Sequence, residues 1–131
     1  MVHDRSVERA RSREDQGENP RQVAILVYPG VQSLDFAGPL EVFAGAQRLI
    51  EQSGRRERGY EIKLLSADGR PLQTSSGLTV TPHVSLAAAS EAIDTLIVAG
   101  GYGRKQAAAD RALLEWIAAT SATVRRTASV C

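Results

Sequence analysis

Val23-Ala24-Ile25-Leu26-Val27 is an unbroken apolar run bounded by Pro20 on one side and by Tyr28-Pro29-Gly30 on the other. Nothing in it can face water at low cost, so a strand built from it needs cover on both faces, which is the position of a central strand in a parallel sheet. Two later segments make the same demand. Tyr60-Glu61-Ile62-Lys63-Leu64-Leu65-Ser66 reads as a second strand, and Asp94-Thr95-Leu96-Ile97-Val98-Ala99 as a third core strand that ends in Gly100-Gly101-Tyr102-Gly103.

Between these strands the pattern turns helical. After Val31-Gln32-Ser33-Leu34, a helix is expected with Val42, Ala46 and Leu49 sharing a face with Phe43 and Ile50, and Gly54 as its stop. Pro39 fits the first turn of such a helix, because deeper placement removes a hydrogen bond and crowds the preceding turn. Asp35 therefore falls in the strand-to-helix connection or the first turns. Ala67-Asp68-Gly69-Arg70-Pro71 has the composition of a tight turn, and Leu72–Ser76 and Leu78–Thr81, parted by Gly77, read as short strands of a hairpin. Ser85–Ser90 is expected to be a short helix. Asp110 can cap a further helix to about residue 120, with Leu113, Trp116 and Ile117 facing inward. A last strand then delivers Cys131, the only cysteine.

Alternating strands and helices joined by short connections imply a mainly parallel sheet with helices on both sides. In such sheets ligands bind beyond the carboxyl ends of the strands. Asp35, the Gly100–Gly103 loop and Cys131 all follow strands at that edge, so three distant segments are expected to meet in one pocket. A strand that closes on a reactive residue normally turns into a helix whose N-terminal amides can bind negative charge. The 131-residue sequence stops before such a helix, so the chain is expected to be a fragment, or one piece of a divided polypeptide, ending at what would be a nucleophile elbow.

A thiol beside a carboxyl group has definite chemistry. An ionised Asp35 would disfavour the Cys131 thiolate, whereas a protonated one would donate a hydrogen bond to it and favour a nucleophile or an oxidation-sensitive sensor. Backbone amides of Gly100, Gly101, Tyr102 and Gly103 could approach a developing oxyanion. Their spacing does not supply a dinucleotide fingerprint. Each residue also has a plainer reading: Cys131 as an inert small side chain, Asp35 as a helix cap, Trp116 as core, and Arg55-Arg56-Glu57-Arg58 as a solvated turn. His83 and His3 lie in polar surroundings and are not expected in catalysis. No cofactor is implied, and four ligands for a metal are not in sight.

Charge and hydropathy exclude further classes. A formal net charge of +1 gives no electrostatic ground for direct binding to nucleic acid or a membrane surface. No apolar run is long enough to span a bilayer and the N-terminus lacks a signal-peptide core, so the expected location is the cytoplasm. Residues 1–21 set five Arg against five Asp or Glu with little to bury, and are expected to be a disordered leader to a domain over residues 22–131.

The wording from Val23 through Tyr28-Pro29-Gly30 to Leu34-Asp35-Phe36-Ala37-Gly38-Pro39-Leu40-Glu41-Val42-Phe43 resembles the opening signature of the ThiJ/PfpI superfamily. Further matches are Leu65–Gly69, Thr74–Leu78, Asp94–Gly101 and Ala128-Ser129-Val130-Cys131, in the family's order. The resemblance implies the N-terminal portion of a flavodoxin-like, three-layer α/β sandwich related to the class I glutamine amidotransferases. Residues 34–43 are most similar to the amidase-like sensor domains of AraC/XylS-type transcriptional regulators. That likeness implies a homodimer, a small-molecule effector, and DNA contact only through a C-terminal helix-turn-helix module outside this chain. The remainder of the domain is an implied partner, as a separate or further segment. A second resemblance, to isonitrile hydratase-like enzymes, implies Cys131 as nucleophile on the isonitrile carbon and Asp35 as the group that positions water or relays a proton. A thiol redox sensor is a third reading.

Overall fold

A computed structural model describes residues 19–131. The leader expected over residues 1–21 lies outside the described residues as far as residue 18. The elements run β1 (Arg21–Leu26), α1 (Ser33–Ser53), β2 (Tyr60–Ser66), β3 (Leu72–Gln73), β4 (Thr79–Val80), β5 (Val84–Ser85), a 3-10 turn (Leu86–Ala88), β6 (Ile93–Ala99), α2 (Arg104–Ala107), α3 (Arg111–Ser121) and β7 (Arg126–Val130). Five strands form one sheet in the order β5-β2-β1-β6-β7, every pair parallel. β3 and β4 make a separate antiparallel hairpin, as their sequence predicts.

β1 occupies the centre, and the fold is a three-layer sandwich around it. Because side chains alternate across a strand, Val23, Ile25 and Val27 face one side with Phe36, Leu64 and Ile97, against which Leu40 and Phe43 of α1 pack. Ala24 and Leu26 face the other side with Leu65, Leu96 and Leu113, joined by Trp116 and Ile117 of α3. The inward face expected for α3 is the one observed. Its start is also as expected: Asp110 is the N-cap and accepts from the Leu113 amide at 3.2 Å.

α1 differs from its expectation in two respects. It begins at Ser33, so Pro39 lies in its second turn and not the first. The cost is confined to one bond, since Pro39 has no N–H to offer the Asp35 carbonyl one turn earlier. Its buried face is also rotated. Phe36, Leu40 and Phe43 pack on the sheet, while Val42 and Leu49 are 69% and 68% exposed. Phe36 sets that rotation at the start of the helix, and Phe43 completes it by meeting Tyr60 edge to face at 5.0 Å. One turn later Gln47 accepts from the Tyr60 amide at 2.7 Å. The left-handed residue expected as the stop is present at Gly54, with φ 63°.

The short helix expected over Ser85–Ser90 is present as a 3-10 turn at Leu86–Ala88, and the edge strand Val84–Ser85 before it is the unexpected element. His83 explains that strand: its amide donates to the Leu64 carbonyl at 2.9 Å, and its Nδ1 accepts from the Leu64 amide at 2.8 Å. These two bonds draw Val84 and Ser85 alongside Leu65 and Ser66. Ser85 then caps the turn by accepting from Ala88. The four-residue α2 was not anticipated by the sequence pattern. Among the described residues, no helix is long and apolar enough to cross a membrane.

β7 is held in register at its start by a fork. Arg125 donates from Nε and Nη2 to the two Asp94 carboxylate oxygens, each at 2.9 Å, and Arg126 Nε donates to Thr95 Oγ1 at 3.0 Å. The Arg125 hydrogen bonds, with a further one from Thr95, hold the Asp94 carboxyl at about 2, below its ordinary 3.8. A depressed carboxylate contributes its stabilisation above its unfolded value and loses it as pH falls through the folded one. The thermal stability of the native chain should therefore fall as pH drops from about 3.8 to about 2. Asp94→Asn should flatten that part of the curve and cost about 1 kcal/mol at neutral pH. An unchanged acid limb in the variant would show that the fork contributes nothing.

Candidate functional site

Three segments converge at the carboxyl edge of the sheet: the β1–α1 connection, the β6–α2 connection and the residue after β7. The first two are bonded directly, with the Gln32 amide donating to the Gly100 carbonyl at 2.9 Å and the Gly103 amide to the Gly30 carbonyl at 3.1 Å. Their backbones approach so closely that side chains are excluded. A Cβ at Gly103 would fall 1.9 Å from the Pro29 carbonyl oxygen, and Gly30, at φ 78°, lies against Gly103 in turn. Gly101 and Gly103 thus serve loop-to-loop packing, and the Gly103 N–H is already committed to Gly30.

Gly100 has a different role. A Cβ there would lie 2.7 Å from Asp35 Oδ2, 2.7 Å from the Val130 carbonyl oxygen and 2.8 Å from Cys131 Cβ. The carboxyl group and the cysteine, ninety-six positions apart in sequence, therefore flank one point on the backbone. Only a glycine permits so close an approach.

Asp35 sits in the first turn of α1 but is not its cap. Gln32 holds the N-cap position and makes no side-chain cap bond. Asp35 is 7% exposed, and its Oδ2 has no hydrogen-bond partner among the described residues. A buried carboxyl oxygen without a partner is costly, and such groups collect where a ligand or water completes the set. The favourable field of the helix N-terminus offsets part of that cost.

Cys131 is a free, exposed thiol whose backbone adopts φ 83°. A left-handed conformation is disfavoured for a residue with a Cβ, and strain of this kind is concentrated where a side chain must be aimed. Tyr102, placed in the ligand loop by sequence, is 83% exposed. His83 is engaged in the β2 contact described above, at the opposite side of β2 from this edge's convergence.

The sequence reading missed Tyr28. It follows β1, is 7% exposed, and its hydroxyl donates to the Ala99 carbonyl at 2.8 Å. Burial pushes the phenol above its ordinary value, negative charge at Asp35 and at Cys131 adds to that push, and Arg104 opposes it. The tyrosine thus stays a neutral phenol close to both site groups. It lies within the Tyr28-Pro29-Gly30 wording, but a tyrosine ending a buried strand looks like core. It also borders a cavity of about 310 Å³ with Ser66, Asp68, Arg70, Leu72 and Asp110.

Chemically, the arrangement offers a thiol, an unpartnered carboxyl oxygen and backbone amides at one edge. That set suits addition of sulfur to an electrophilic carbon, or recognition of a small ligand with a hydrogen-bonding group. Among the described residues, no group of three or more His, Cys, Asp or Glu could hold a metal ion.

The chain is similar to several known proteins. Among curated proteins, the chain is 40% identical over 82 residues to a Streptomyces lividans protein of the cpoL 5′ region, covering 63% of this chain and 52% of that one. It is 32% identical over 116 residues to the HTH-type transcriptional regulator GbdR of Pseudomonas aeruginosa, covering 88% of this chain and 30% of the regulator. It is 28% identical over 110 residues to the isonitrile hydratase of Pseudomonas putida, covering 84% of this chain and 43% of the enzyme. The chain thus spans about half, or less, of the length of the curated relatives it matches. Among solved structures, a ThiJ/PfpI family protein from Pseudomonas syringae superposes with a TM-score of 0.72 at 26% identity, covering 86% of this chain and 42% of that one. An AraC family transcriptional regulator from Pseudomonas putida shares the fold, with a TM-score of 0.58 at 22% identity over 84% of this chain and 64% of the other. The DJ-1/PfpI family model matches residues 21–131, so the chain belongs to the DJ-1/PfpI family.

Proposed function

We propose that this chain is the ligand-sensing portion of an AraC-type transcriptional regulator, with the space between Asp35, Gly100 and Cys131 as its effector site. The observation that carries the reading is the unpartnered, buried Oδ2 of Asp35, which approaches the same point at Gly100 as Cys131. An effector with an N–H or O–H group would complete the Asp35 oxygen and relieve its desolvation cost. Likeness to GbdR over most of this chain supports a regulator, whose DNA contact would come from a module outside these residues. The near-neutral charge of the chain agrees with that division of labour.

A second reading is favoured by the same pair of residues and by the likeness to isonitrile hydratase. In it, the Cys131 sulfur bonds to the isonitrile carbon, and that same carbon takes the proton to give a thioimidate. Water positioned by Asp35 then adds to that carbon, and the carbon–sulfur bond breaks to return the thiol.

Assays of the parent polypeptide separate the two. The regulator reading expects retention of duplex DNA, release or tightening on effector binding, and no turnover of small isonitriles. Turnover that vanishes in Cys131→Ala and falls about 10²-fold in Asp35→Asn would establish the enzyme instead. Peroxide treatment of the same samples tests the redox reading, which expects Cys131 to reach the sulfinate faster than an exposed control thiol.

Gly100→Ala tests the site common to both. Its new methyl group would fall against Asp35 and Cys131, so effector binding or turnover should be lost, at a cost of about 1–3 kcal/mol in stability. A variant that keeps full function would place the ligand elsewhere.

A further inference from the structure

The peptide joining Ala99 to Gly100 is the backbone on which the two site groups converge, and its orientation is set from outside the pair. β1 ends its ladder with β6 at Leu26, paired with Val98. One residue further along β6, the main chain of β1 no longer reaches, and the Tyr28 hydroxyl takes its place by donating to the Ala99 carbonyl at 2.8 Å. The next carbonyl, that of Gly100, is taken by the Gln32 amide at 2.9 Å. Both ends of the turn out of β6 are therefore tied to the segment that follows β1.

A trans peptide aims its N–H opposite to its C=O, and the described chain contains no cis bond. With the Ala99 carbonyl directed at Tyr28 on the β1 side, the Gly100 N–H is directed the other way. β6 lies between β1 and β7 and Ala99 pairs with Val130, so that N–H faces Val130, the residue before Cys131. Rotation of this peptide would turn a carbonyl oxygen toward the thiol and the unpartnered Asp35 oxygen, and would turn the donor away. Tyr28 is nine-tenths buried and stays un-ionised beside those groups, so its hydroxyl is a lasting donor.

We propose that Tyr28 is a positioning residue for the Asp35–Cys131 site, fixing the Ala99–Gly100 peptide with its N–H toward β7 at Val130, next to Cys131. The proposal rests on the reading of Asp35 and Cys131 as one site. Tyr28 acts through the peptide and not on the ligand. Its ring supplies core packing, but its hydroxyl supplies the orientation, and the two contributions separate in Tyr28→Phe.

The test uses the only thiol of the chain as its reporter. Rates of Cys131 alkylation by iodoacetamide are measured across pH for the native chain, Tyr28→Phe and Asp35→Asn, each also in urea. Loss of one hydrogen bond should slow folded Tyr28→Phe about fivefold at neutral pH. The pH of half-maximal rate should rise, because a carbonyl oxygen replaces an N–H near the sulfur, while the urea-unfolded samples react alike. Identical profiles for the native chain and Tyr28→Phe, with a changed profile for Asp35→Asn, would overturn the role of Tyr28 and leave the shared site standing. Profiles unchanged in both variants would overturn the role and the site together. Should Tyr28→Phe fail to fold, proton NMR of the native chain decides. A slowly exchanging Tyr28 hydroxyl proton with a cross-peak to Gly100 Hα is expected, and a hydroxyl in free exchange with water would contradict the proposal.

Discussion

The burial of β1 on both faces is the constraint from which the rest follows. Val23, Ile25, Leu26 and Val27 are at most 1% exposed, which requires a helical layer above and below and strands on either side. At ~25 cal/mol per Å² of apolar surface removed from water, such a strand is the main contributor to keeping the layers together. With β1 central and every neighbour parallel, all carboxyl ends lie at one edge. The loops leaving β1 and β6 must then pass each other, and they do so through Gly30, Gly101 and Gly103, where main chain meets main chain. Gly100 extends the same principle from packing to chemistry. Its missing side chain lets a buried carboxyl and a cysteine approach the same point of the backbone.

Strand identity was legible because apolar runs of that length have few alternatives. Tyr60–Ser66 matches its expected bounds, and Ile93–Ala99 extends by one residue at its start. The helix faces were less legible. Val42 and Leu49 fit the periodicity of an inward stripe, yet Phe36 and Phe43 fix the rotation of α1 and turn them out. An aromatic ring buries more than a Val or Leu, so where two apolar stripes compete the aromatic one wins. The edge strand β5 could not be read from local propensity, because it is made by the paired His83–Leu64 bonds, which join residues far apart in the chain. Pro39 was assigned to a first turn on sound general grounds, but the helix tolerates it in the second with one unmade bond.

For the site, residue type and strand-end position sufficed to place Asp35, Gly100 and Cys131 together. What sequence could not distinguish was the separate function of each glycine: Gly103 has its amide committed to another loop, while Gly100 is defined by the close approach it permits. Tyr28 was invisible for a related reason. Its ring satisfies the pattern of a core strand, and only the position of its hydroxyl against Ala99 sets it apart. The placement of the N-cap at Gln32, three residues before Asp35, matters as well. It removes the plain explanation for Asp35, and leaves an unpartnered oxygen facing the cysteine.

The account stands on the proximity of two side chains from opposite ends of the described chain, with Gly100 between them. Nuclear Overhauser contacts in solution report that proximity without a variant, a ligand or an assay of function. The structure predicts cross-peaks from Gly100 Hα to the β-protons of both Asp35 and Cys131. If Gly100 gives contacts to its chain neighbours and to Val130 but none to either side chain, the site does not exist as described.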